Sequence, residues 1–130
     1  MASPFELLGE DDERRDARVR AIVDRFYDLM DARPEARTLR AMHPDDLGRS
    51  RHKLHLFLRG WLGGPQTYTE RYGHPRLRAR HLPFRIDDDA AIQWMSCMQD
   101  AVDELVPDDE LRRSLTGALA RMAAHMRNVE

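Results

Sequence analysis

Apolar side chains recur every third or fourth residue along four long stretches of this 130-residue chain, and over no stretch do they alternate. That period belongs to amphipathic α-helices and leaves no place for a sheet. Over 12–32 the apolar face carries Val19, Ile22, Val23, Phe26, Tyr27 and Met30, and Pro34 ends the helix. A short helix is predicted over 35–42, and His43-Pro44-Asp45-Asp46 reads as a turn into the next. That helix, 47–61, places Leu47, Leu54, Phe57, Leu58 and Trp61 on one face. It stops at Gly63-Gly64-Pro65, because glycine accepts the left-handed conformation of a C-cap. Three consecutive aspartates, 87–89, suit the positive end of a helix dipole. After them Ala91, Trp94, Met95, Met98, Ala101, Val102 and Leu105 mark a third long helix, closed by Pro107-Asp108. The fourth carries Leu111, Leu115, Ala118, Leu119, Met122 and Met126, with a frayed end expected at Asn128.

A chain of this length forms one domain, 1–130, with residues 1–12 expected to be a flexible lead-in. Apolar residues make up 42% and charged residues 34%, a balance that supports a packed core under a well-solvated surface. The 21 basic and 23 acidic side chains read as scattered, without the basic stripe that phosphate backbones require, so nucleic acid is not an expected partner. No run approaches 18 apolar residues and the first dozen lack a secretion-signal pattern, so no membrane association and a cytoplasmic location are expected. The single Cys97 has no partner for an internal disulfide and reads as a buried thiol.

Between the second and third long helices, residues 66–84 fit this pattern poorly. Pro75 and Pro83 leave space for a helix of about two turns between them, too short and too basic for a core element. Long, weakly apolar connections of this kind often carry function. Within residues 67–86, the run Arg78-Ala79-Arg80-His81-Leu82-Pro83-Phe84 resembles the proximal region of group II truncated haemoglobins. Phe26-Tyr27, Gly63-Gly64-Pro65 and Trp94 agree with the resemblance in order and spacing, and it extends over roughly residues 14–126.

The resemblance implies an all-α truncated globin fold, a 2-on-2 helical sandwich around haem b (iron protoporphyrin IX). It further implies binding of small diatomic ligands such as O2, CO and NO. His81 would be the axial iron ligand; His74, seven residues earlier, is the rival, but Gly73 and Pro75 put it at the helix start. Neutral imidazole is a good iron donor, and a short helix can orient it through a backbone carbonyl on its other nitrogen. On the distal side the resemblance places Tyr27 and Trp94 as donors to bound ligand and Ser50 at the ligand gate, where a small residue leaves a side path. Leu54, one turn on, and Phe84, at the end of the proximal run, would touch the cofactor, with Lys53, Tyr68 and Arg80 as partners of its propionates.

Two positions depart from the family pattern. His43 stands where Phe or Tyr is usual; it is either a solvent-facing turn residue or a distal group that donates to ligand or coordinates iron, with titration expected between about pH 5 and 8. Before the first long helix the usual Gly-Gly pair is replaced by Leu8-Gly9-Glu10. Two donors above the iron suit tight oxygen holding better than rapid transport, while redox turnover of nitric oxide or peroxide would need a reductase partner, so enzymatic activity stays open. The competing reading is a cofactor-free helical interaction module, with the aromatics and methionines as core or partner groove.

Overall fold

Asp11, Asp87 and Asp108 each accept a hydrogen bond from the backbone N–H three residues on, at 2.8, 2.9 and 2.7 Å. Each thereby starts a long helix in the computed structural model, which describes residues 2–129. Such a cap contributes about 1 kcal/mol. In chain order the α-helices among the described residues are α1 (Asp12–Ala32), α2 (Arg37–Ala41), α3 (Gly48–Trp61), α4 (Thr67–Tyr72), α5 (Leu77–His81), α6 (Asp88–Leu105) and α7 (Asp109–His125). Short 3-10 turns, Glu6–Leu8 and Pro34–Ala36, precede α1 and α2. Helix α1 packs on α3 and across onto α6, which in turn packs on α7. The two helix pairs, α1 with α3 and α6 with α7, sandwich a core centred on Val19, Val23, Phe26, Met30, Met98 and Val102. This is the all-α, 2-on-2 arrangement expected.

Six local features differ from the sequence reading, three of them in α3 and the lead-in. Trp61, assigned to the apolar face of α3, is 39% exposed, because the helix ends there and the tight turn brings Leu62 into the core instead. The apolar stripe of α3 also serves two surfaces: Leu58 is buried in the core, while Leu54 and Phe57 are half-buried beside a cavity. The lead-in is packed where flexibility was expected. Phe5 and Leu8 are buried, and Phe5 N–H donates to Leu62 O at 2.9 Å. Gly63, at φ +102°, has the expected left-handed conformation and adds space for this contact, since a Cβ there would lie 2.7 Å from Ser3 Cβ.

In the connection between α3 and α6, the proline-bracketed helix shrinks to the five residues of α5, entered through Arg76 in the left-handed region at φ +46°. A further helix, α4, precedes it. It has no apolar period to reveal it and is docked by polar contacts: Arg59 Nη2 donates to Thr67 Oγ1 at 2.8 Å, and Gln66 Nε2 to Gly60 O at 2.9 Å. Nor is the end at Asn128 frayed. Its N–H donates to Ile86 O and its Oδ1 accepts from Ile86 N–H, both at 2.9 Å, while Nδ2 donates to His81 O at 3.1 Å and Phe84 O at 2.9 Å. Met1 and Glu130 lie outside the described residues.

Candidate functional site

All the α-helices contribute to the walls of one cavity of about 410 Å³, a size suited to a small-molecule cofactor. Nine of the residues singled out from sequence line it: Tyr27 from α1, His43 after α2, Ser50, Lys53 and Leu54 from α3, Tyr68 from α4, His81 from α5, Phe84 beyond it, and Trp94 from α6. Arg80 is the exception. It sits one layer out, donating through Nη1 to the Tyr68 hydroxyl at 2.7 Å. His74 does not line the cavity; it is exposed, and its Nδ1 accepts from Arg76 N–H at 3.0 Å, which removes it as a rival to His81.

His81 is the last residue of α5, and its Nδ1 lies 2.6 Å from Leu77 O, one helical turn back. A carbonyl oxygen only accepts, so Nδ1 carries the proton and the lone pair is on Nε2, which has no hydrogen-bond partner among the described residues. Asn128 braces the same turn from behind by its bonds to the His81 and Phe84 carbonyls. Among the described residues no three His, Cys, Asp or Glu side chains gather into a metal cage. An oriented imidazole with an unpartnered Nε2 in the wall of a largely apolar cavity is the donor set that fits an iron arriving with its own macrocycle, and so the residues present fit a haem.

His43 repeats this geometry, with Nδ1 3.0 Å from Leu39 O one turn back. Its ring is half-buried, edge-on to Tyr27 with centroids 5.8 Å apart, so the solvent-facing alternative is set aside. Burial pushes its pKa below the usual 6.5, and the nearby Arg40 and His81 act in the same direction against the Leu39 hydrogen bond. The expected titration therefore moves to the acidic end of the window. Tyr27 is 5% exposed, stacks edge-on against Phe26 and lies under the Arg51 guanidinium. Burial raises its hydroxyl pKa to about 12, so it remains a donor at every physiological pH. Trp94 is half-buried, edge-on to the other side of the same Phe26 ring system at 5.2 Å, and its indole N–H can only donate. At the rim Tyr68 is buried against Phe57 and Tyr72, and the Lys53 ammonium lies 4.9 Å from the Tyr72 ring centre.

Two polar constructions were not anticipated. Asn128 carries no sequence signal, since a polar residue near a helix end is ordinarily solvated. The other is a buried cluster joining α1, α3 and α4: His55 Nε2 meets Asp16 Oδ1 at 2.8 Å and Arg59 Nη1 donates to the same oxygen at 2.9 Å, with Arg59 also reaching Thr67. Partial burial works to raise the Asp16 pKa, but its bonds to His55 and Arg59 win and hold the carboxyl below its usual range. The i, i+4 spacing of His55 and Arg59 was the available signal.

Comparison with known proteins finds relatives over nearly the whole chain. The model of the bacterial-like globin family matches residues 4–128. The group 2 truncated haemoglobin YjbI of Bacillus subtilis (strain 168) is 41% identical over 126 residues, covering 97% of this chain and 89% of that protein. The group II 2-on-2 haemoglobin of the plant pathogen Agrobacterium tumefaciens superposes with a TM-score of 0.93 at 41% identity, over 100% of this chain and 97% of its own. A truncated haemoglobin from Bacillus subtilis described as oxygen-avid superposes with a TM-score of 0.83 at 41% identity, over 98% of this chain and all of its own.

Proposed function

This chain belongs to the bacterial-like globin family, among its group II truncated haemoglobins, and on that premise we propose that it binds haem b through His81 and holds O2 or another small diatomic ligand beneath Tyr27, Trp94 and His43. When bound, the haem would supply an iron able, when reduced, to bind a small diatomic molecule. The observation that carries the reading is the His81 imidazole in the cavity wall, its Nδ1–H committed to Leu77 O and its Nε2 free.

The remaining roles are those of the chain's own groups. Leu77 O draws on the Nδ1 proton and makes Nε2 a stronger donor, while the Asn128 bonds hold the turn that carries the ring. The Tyr27 hydroxyl and the Trp94 indole N–H offer hydrogen bonds to a ligand bearing partial negative charge, each contributing roughly 1.5–3 kcal/mol and slowing escape by about ten- to hundredfold. His43, neutral near pH 7, offers a third polar contact through Nε2. Lys53, Tyr68 and the Arg80 behind it form the polar rim suited to propionates. Leu54 and Phe84 supply apolar wall, and the small Ser50 leaves a path for ligand entry.

Tight oxygen holding needs the iron kept reduced, so the reading includes a reductase partner. The cytoplasm suits it, and among the described residues no helix is long and apolar enough to cross a membrane. Nothing supports the cofactor-free module. Titration of the protein with haemin tests the function: a saturable Soret band at one equivalent is expected, shifting on reduction and again under carbon monoxide. A protein that stays colourless contradicts it.

A further inference from the structure

Charge along this chain is not scattered, as composition suggested. Residues 47–86 hold nine of the 21 lysines and arginines but one of the 23 carboxylates, Glu70, a net of +8; the rest, with twelve against 22, carries −10. The basic block is α3, α4, α5 and the turns between them, which make one wall of the haem cavity. Some of its charge is internal: Arg51 pairs with Asp24 and Asp28, and Arg59 with Asp16. Arg85 lies 3.8 Å from Asp87. Lys53 and Arg80 are assigned above to the propionates. What remains is Arg49, Arg71, Arg76 and Arg78, all exposed and none in an ion pair among the described residues, on the same elements as an exposed Leu82 just after α5.

We propose that this face docks a small acidic protein that delivers single electrons to the haem, an inference that rests on the function proposed above. Exposed guanidiniums without a carboxylate partner, with an exposed apolar residue on the same stretch of chain, are the side-chain types a charge-steered protein interface uses. They sit on the elements that carry His81 and the propionate partners, so a carrier seated here faces the nearest wall of the haem cavity. Charge complementarity steers such encounters and permits fast exchange without a large interface. One electron leaves the carrier and is accepted by ferric iron, giving ferrous iron and the oxidised carrier with no other bond made or broken. An extended polyanion fits less well, because Glu70 interrupts the basic block and three aspartates, 87–89, follow it directly in the chain.

The test uses the ferric haem-loaded protein mixed anaerobically with a reduced plant-type [2Fe–2S] ferredoxin, an acidic one-electron carrier. The second-order reduction rate is expected to fall about tenfold or more from roughly 20 to 200 mM salt. Arg71→Glu/Arg78→Glu should lower the low-salt rate by a similar factor, and the milder Arg71→Gln/Arg78→Gln by less. Reduction by photoreduced lumiflavin, small and neutral, should be the same in all three proteins. A ferredoxin rate indifferent to salt and to both variants overturns the proposal. So does a charge-dependent loss of binding to single-stranded RNA or phosphatidylglycerol vesicles while the ferredoxin rate is untouched. Failure of the underlying function is separately visible as absent Soret absorption before mixing.

Discussion

His43 and Tyr27 are neighbours in one cavity, yet burial sends their chemistry in opposite directions. It keeps the tyrosine hydroxyl protonated to about pH 12 and the imidazole neutral until below pH 6.5. Between about pH 7 and 10 neither group titrates on this account, so oxygen dissociation should be flat across that range and change only in acid. Tyr27→Phe removes one donor and should speed dissociation by roughly ten- to hundredfold in stopped-flow measurements. Stability also follows pH through His43. A histidine whose folded pKa is depressed binds fewer protons folded than unfolded, so stability is lost as pH falls below 6.5 and levels off beneath the folded value. The drop in melting temperature between pH 7 and pH 5 should therefore be smaller in His43→Phe than in the parent protein. Of these residues, the places of His81 and Tyr27 in the cavity wall were legible through the family resemblance, while the helical period alone would have left Tyr27 in the core. The packing of His43 was not, because a turn histidine before a proline looks the same whether solvated or folded in.

Long helices were readable from their apolar period, and α1, α6 and α7 also begin with an aspartate that accepts from a free N–H group. The short α4 was not, since it is held by side-chain hydrogen bonds from α3 that leave no period in sequence. The Asp16–His55–Arg59 cluster is the junction of α1, α3 and α4, and Asp16→Asn takes the carboxylate away from the part-buried Arg59 guanidinium and the buried His55 ring. We expect it to cost about 1–3 kcal/mol in denaturant unfolding, well beyond an exposed ion pair. At the α3 terminus, Gly63→Ala forces a Cβ into a left-handed residue and against Ser3, and should cost about 1–3 kcal/mol. Asn128→Ala removes the brace behind α5 and should accelerate haem transfer to apomyoglobin without altering far-ultraviolet circular dichroism.

Taken as a whole, the molecule is a helical sandwich with a cavity of about 410 Å³ in it, one wall of which is built from elements with a strong excess of basic residues. Its folded state alone binds the cofactor, so haem at a hundredfold excess over its dissociation constant should add about 2.7 kcal/mol and raise the melting temperature on the order of 10 °C. Fold class and the aromatic content of the cavity could be read from residue spacing and family resemblance. The charge asymmetry escaped because composition averages over the chain while a surface does not. Everything functional in this account hangs on one bond from His81 Nε2 to iron. Resonance Raman spectroscopy of the ferrous protein measures it: an iron–histidine stretching band should be present, disappear in His81→Gly, and return on adding imidazole. An unchanged band in His81→Gly without imidazole would contradict the assignment.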